Sequence, residues 1–106
     1  MSKMSSVLAE KFEGLPLGEA LDVVLELGEE AIHALDQADS AETMRRIYAE
    51  YAEPVKGKIR LLGGSITGEG WLNGTLQATL TKGAVESLDD EPVVARVDLP
   101  RLLERE

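Results

Sequence analysis

The tightest local constraint in this sequence is the Asn73-Gly74 pair, set between Trp71-Leu72 and Thr75-Leu76-Gln77-Ala78-Thr79-Leu80-Thr81. Asn-Gly is the preferred pair for a two-residue type I′ hairpin turn, because both positions of that turn need positive φ. The alternation that follows puts Leu76, Ala78 and Leu80 on one face and Thr75, Gln77, Thr79 and Thr81 on the other. A hairpin with one core face and one wet face is predicted, so the second half of the chain reads as β. After Pro54 the hydrophobic period shifts from 3.6 to 2. Lys58-Ile59-Arg60-Leu61 alternates, Gly63-Gly64 breaks or bulges the chain, and Ser65-Ile66-Thr67 resumes it before Gly68-Glu69-Gly70. Residues 84–88 and 93–97 read as two more strands, separated by the loop Asp89-Asp90-Glu91-Pro92. Asp98 is placed to cap a last short segment with Pro100 in its first turn and Leu102 and Leu103 packing inward.

The first half reads as helical. Residues 5–12 suit a short helix ended by Gly14 and Pro16. At 100° per residue Leu17, Ala20, Leu21, Val24, Leu27, Gly28, Ala31 and Leu35 share an arc of about 120°, a core-facing stripe of a helix over 17–35. Val23, Leu25 and Ile32 widen it to roughly 200°, more than one docking face needs, which points to burial on two sides or to a subunit interface. Asp39-Ser40 with Glu42 offers a fresh N-terminus, and a second helix is expected to run to Glu53 and end at Pro54. The expected architecture is α+β: an N-terminal helical hairpin (1–54) on one face of a C-terminal antiparallel sheet of three to five strands (55–106), forming one domain over 1–106.

Composition removes several kinds of chemistry. There is no cysteine, hence no disulfide, thiolate metal site or Cys nucleophile. Aromatic residues are so few that Leu, Val, Ile and Ala must build the interior. Near the N-terminus Val7-Leu8-Ala9 is broken at once by Glu10 and Lys11, which fits neither a signal peptide nor a membrane span, so a cytoplasmic address is expected. A formal net charge of −9 repels nucleic acid and anionic membranes, leaving a protein partner with a basic or neutral surface.

Charge is also uneven: no Lys or Arg occurs from Phe12 through Met44. Glu19, Asp22, Glu26, Glu29 and Glu30 would form an acidic face on the predicted helix. Carboxylates one turn apart repel by a few tenths of a kcal/mol per pair, so the stripe is either a solvated surface or one kept for a basic partner. Glu30 and His33 have the Glu-x-x-His spacing of a metal bundle, but they flank a polar arc rather than a buried seam. No metal, cofactor or catalytic residue is expected. Gly63-Gly64-Ser65-Ile66-Thr67-Gly68 lacks both the nucleophile-elbow pattern and a phosphate-loop lysine. Trp71, the one tryptophan, sits near the hairpin turn and suits either a core end or a partner contact. The function expected is that of a non-catalytic interaction or regulatory protein, homo-oligomeric through the surplus apolar face, working through the acidic face, Trp71 or both. Two alternatives stand beside it. One is a small-ligand-binding protein or minor enzyme with a pocket lined by Tyr48, Tyr51, Arg60 and Trp71. The other is a self-assembling component paired through exposed strand edges.

Overall fold

In the computed structural model, which describes residues 3–16 and 18–100, the chain forms four α-helices and one four-stranded antiparallel sheet. The elements run α1 (Ser6–Glu13), β1 (Ala20–Leu27), α2 (Glu29–Asp36), α3 (Ala41–Leu61), β2 (Ser65–Gly70), β3 (Thr75–Thr81), α4 (Lys82–Ser87), a 3-10 turn (Leu88–Asp90) and β4 (Val94–Asp98). Helices pack on the sheet, so the α+β class holds. Sheet order is β2-β3-β1-β4, which is not a meander: β1 lies between the two later strands.

That position corrects the largest sequence expectation. Residues 20–27 do not begin a long helix; they are a central strand, paired antiparallel with β3 and β4. Val23, Leu25 and Leu27 are buried while Asp22, Val24 and Glu26 face the other way. The residues that seemed to overfill a helical arc, Val23 and Leu25, are the alternate positions of a strand. Leu17, the first residue of the predicted stripe, lies outside the described residues. Gly28 is the N-cap of α2 rather than a mid-helix glycine, and its N–H donates to the Val93 carbonyl at 2.7 Å. The surplus apolar face proposed as a subunit contact is therefore used up inside the fold.

Helix α1 starts at the Ser5 cap, whose hydroxyl accepts from the Leu8 N–H, and buries Leu8 and Phe12. Helix α3 starts at Ser40 as expected but runs through Pro54 to Leu61, so the predicted strand over Lys58-Ile59-Arg60-Leu61 is helical. An interior proline removes one N–H and crowds the preceding turn, at about 3 kcal/mol. Beyond it Val55 and Ile59 are fully buried. Full burial of such side chains contributes roughly 1.5–3 kcal/mol each, enough to carry the helix past the proline, which sits on the exposed side. A Schellman motif ends it: Gly63 has φ +85° and donates to Arg60, and Gly64 donates to the Ile59 carbonyl at 2.9 Å.

Hairpin β2–β3 forms as predicted, with Leu76, Ala78 and Leu80 buried, but its turn is longer. Gly70 pairs with Thr75, leaving the four residues 71–74 as the connection. The Asn73 N–H donates to the Gly70 carbonyl at 3.1 Å, and only Gly74 takes positive φ (+69°), so the turn is not type I′. The close fit of Gly74 under Ile32 of α2 explains why the turn settles where it does. Residues 84–88, expected as a strand, form α4 and the start of the 3-10 turn: Thr81 caps the helix, and buried Ala84, Val85 and Leu88 follow helical spacing. Leu102 and Leu103 lie outside the described residues.

Two aliphatic clusters result. The larger joins Leu8 and Phe12 of α1, Val55 and Ile59 of α3, and Val85 of α4 to the inner faces of β1, β3 and β4. The smaller gathers Leu27, Ala31, Leu35, Tyr48 and Ala52 where α2 meets α3. Alongside β4 the segment 3–5 adds a short parallel rung, with Ser5 N–H donating to the Val97 carbonyl and Val97 N–H to the Lys3 carbonyl, both at 2.9 Å.

Glycine positions supply a test of this packing. A Cβ at Gly64 would strike Leu80 and lie 2.9 Å from both Ile59 Cγ2 and the Thr79 carbonyl, whereas one at Gly57 meets nothing within 4 Å. Gly64→Ala should lower stability by about 1–3 kcal/mol through overpacking. Gly57→Ala should raise it by up to about 1 kcal/mol through helix propensity. Urea denaturation of both variants checks this, and shifts of the same sign would contradict the packing described.

Candidate functional site

An open groove of about 780 Å³ lies where the end of β1, helix α2 and Ala95 of β4 come together. Leu27, Ile32 and Ala95 give it an apolar floor, and Glu26, Glu29, Glu30, His33 and Asp36 line it. Glu26 arrives from the solvated side of β1, and the others from α2, where Glu29, His33 and Asp36 recur at helical spacing.

Three of the five acidic residues singled out in the sequence thus converge, though not on one helix. The other two lie elsewhere. Asp22 stands on the solvated face of β1 and accepts from Thr79 Oγ1 at 2.8 Å. Glu19 sits in the connection before β1, by a second cleft near Phe12, Leu15 and Lys82. Asp36 belongs to the groove and was missed as a site residue; its signal was the α2 spacing, hidden while the helix was phased from residue 17.

Local electrostatics separate these carboxylates. Glu29 and Glu30 occupy the first turn of α2, where the helix dipole stabilises an anion by about 0.3–1 kcal/mol each, so the fold alone can account for them. Asp36 is the last residue of the same helix, where the dipole disfavours a negative charge, and Glu26 stands on β1 directly opposite Arg96 of β4, whose guanidinium pairs with Asp98 at 2.9 Å. Glu53, Glu69 and Asp98 all pair with Lys or Arg, whereas among the described residues no ion pair joins Glu26, Glu29, Glu30 or Asp36 to a cation. His33 is exposed and its Nε2 lies 3.1 Å from Gln37 Nε2. No group of three or more His, Asp or Glu among the described residues is arranged to hold a metal ion.

Of the residues expected around a ligand pocket, Tyr48, Tyr51 and Trp71 meet at the smaller core cluster and Arg60 lies apart. Tyr48 is buried and donates its hydroxyl to the Thr75 carbonyl at 2.6 Å, fastening α3 to the hairpin. Tyr51 borders a small cavity of about 180 Å³ that Gly28, Glu29, Glu30, Pro92 and Val93 also line. Burial, and then the adjacent Glu30 carboxylate, push its phenol above the ordinary value. Arg60 is exposed twelve residues beyond Tyr48, roughly 18 Å along the helix. Trp71 is half-buried against the smaller core, and the Arg45 guanidinium lies 4.6 Å from its ring centroid, a cation–π contact of about 0.5–1 kcal/mol. The apolar residue offered at the hairpin tip is its neighbour Leu72, 66% exposed.

Two titrating groups near β2 bear on stability rather than on the groove. Burial, reinforced by Glu69, pushes the Tyr48 phenol up to about 12. At Lys56 burial pulls the ammonium down, but Glu69 and Glu53 outweigh it and the net shift is upward. Both groups are favoured in their protonated forms by folding, so their contribution is complete below pH 10 and is lost as pH rises toward and through 12. Denaturation midpoints measured from pH 8 to 12 should fall along this limb, and Tyr48→Phe should flatten it. A limb as steep in the variant as in the parent would remove Tyr48 from the account. Compared with protein-family models, curated proteins and solved structures, the chain matches none of them.

Proposed function

We propose that this chain is a non-catalytic interaction protein that holds a basic segment of a protein partner in the acidic groove of β1 and α2. One observation carries the reading: four carboxylates, Glu26, Glu29, Glu30 and Asp36, meet around one open groove without an ion-pairing cation of their own. Asp36 is set at the C-terminal end of α2, where the helix dipole disfavours a negative charge, which favours a role outside the fold. The apolar floor of Leu27, Ile32 and Ala95 suits the methylene stems of lysine or arginine, whose charged heads would reach the rim. Nucleic acid and anionic membrane are poor occupants for a surface of this sign. No helix of the described residues is long and apolar enough to cross a membrane.

Glu26→Gln combined with Asp36→Asn tests this without removing the carboxylates that support the α2 N-terminus. Titration calorimetry with a lysine- and arginine-rich peptide should show binding that weakens from 50 mM to 500 mM salt on the order expected for screened charge. The double variant should bind at least about tenfold more weakly, a loss of roughly 1.4 kcal/mol, with an unchanged melting temperature. Binding indifferent to both salt and substitution would overturn the assignment.

A further inference from the structure

Arg96 of β4 has two carboxylates within reach and is bonded to one of them. Antiparallel pairing sets Arg96 directly opposite Glu26 of β1, and Asp98 opposite Val24. Opposed residues share a face of the sheet with Cβ atoms about 5 Å apart, a gap an arginine spans easily. Arg96 instead lies along its own strand, with its guanidinium on Asp98 Oδ2 at 2.9 Å. Asp98 is the fixed member of that pair. Its Oδ1 accepts from the Ser5 hydroxyl at 2.6 Å and from the Leu99 N–H at 2.8 Å, and its side chain is 14% exposed against 46% for Arg96. The β1–β4 register shifts between Glu26 and Leu27, leaving Ala95 as the extra residue of a bulge, a feature that re-aims neighbouring side chains. Here it delivers Ala95 to the floor of the acidic groove, and Arg96 stays off the groove's lining.

We propose that Arg96 is a built-in competitor for the acidic groove, held off Glu26 by Asp98 and, through Ser5, by the segment 3–5. While Ser5 fixes Asp98, Arg96 stays on β4 and Glu26 is open to a cation from outside the chain. Removing the Ser5 contact or the Asp98 charge sends Arg96 across to Glu26, where it fills the strand side of the groove. Segment 3–5 reaches this position from outside the four-stranded sheet, through a short rung with Val97 and the Lys3 N–H on Asp89 Oδ1 at 2.9 Å. A contact made by Ser5 thereby sets the charge that the groove presents. The effect on a basic partner rests on the function proposed for the groove; the exchange of Arg96 between carboxylates does not.

Nuclear Overhauser contacts in the intact, peptide-free chain test the exchange. In the parent, the Arg96 δ-protons should contact the Asp98 β-protons and not the Glu26 γ-protons. In Asp98→Asn, which keeps an acceptor for Ser5 and Leu99, the Glu26 contacts should appear. Ser5→Gly, a change that helix N-caps tolerate, should produce them in part and serves if the first variant folds poorly. Titration calorimetry with the lysine- and arginine-rich peptide at low salt tests the consequence. Asp98→Asn should weaken binding roughly two- to fivefold, the size of one cross-strand pair of opposite charge, and should have no effect in an Arg96→Gln background. Equal loss in both backgrounds, or Arg96 contacts unchanged in both Asp98→Asn and Ser5→Gly, would overturn the proposal. A parent that binds no peptide would overturn the groove's function, with the Overhauser contacts still deciding the exchange.

Discussion

Pairing of β1 with β3 on one side and β4 on the other holds this molecule together. Through those two ladders Val23, Leu25 and Leu27 become the middle of the core, and α1, α3 and α4 find a surface on which to bury their apolar sides. Without cysteine or a metal cluster among the described residues, nothing covalent supports that arrangement. The polar devices include local ones, Ser5, Ser40 and Thr81 as helix caps, and long-range ones, Tyr48 tying α3 to the hairpin and the Ser5 hydroxyl donating to Asp98. Aliphatic burial supplies the stability, and these hydrogen bonds select the geometry.

The placement of β1 also shapes the electrostatics. Strand alternation sends Val23 and Leu25 inward and throws Asp22 and Glu26 onto the solvated face, so the acidic run divides instead of lying along one stripe. What reassembles part of it is the sharp passage from Leu27 through Gly28 into α2, which turns Glu29 and Asp36 back toward Glu26. A long helix over the same residues would have spread these charges along its length; the strand-to-helix corner gathers them at one place.

Much of this was legible from residues alone, and the failures share a cause. The short helix after Ser5, the start of a helix at Ser40, the β3 alternation and the β4 run were readable because each depends on neighbours within a few positions; Gly63-Gly64, read as a break between strands, is instead the stop of α3. Residues 20–27 satisfied two periods at once, and the choice between them was made by partners more than fifty residues away, Asp22 meeting Thr79 and Leu25 meeting Leu76. Pro54 misled for a similar reason: a local penalty was outweighed by the burial of Val55 and Ile59 against distant strands. In the groove, Glu26, Glu29 and Glu30 had already stood out in the sequence as an excess of like charge. Their grouping with Asp36 had not, since it depends on a strand the helical reading had erased.

The strand order carries one more consequence, for the order of events in time. β1 is synthesised well before both of its neighbours, β3 and β4, and Ser5 waits for Asp98, 93 residues later. Contacts of such separation make folding slow relative to a helical bundle of equal size. At a synthesis rate of about 5–20 residues per second, a strand built to be covered on both edges stays uncovered for several seconds. For this protein, that interval is when the chain is most exposed to wrong pairings.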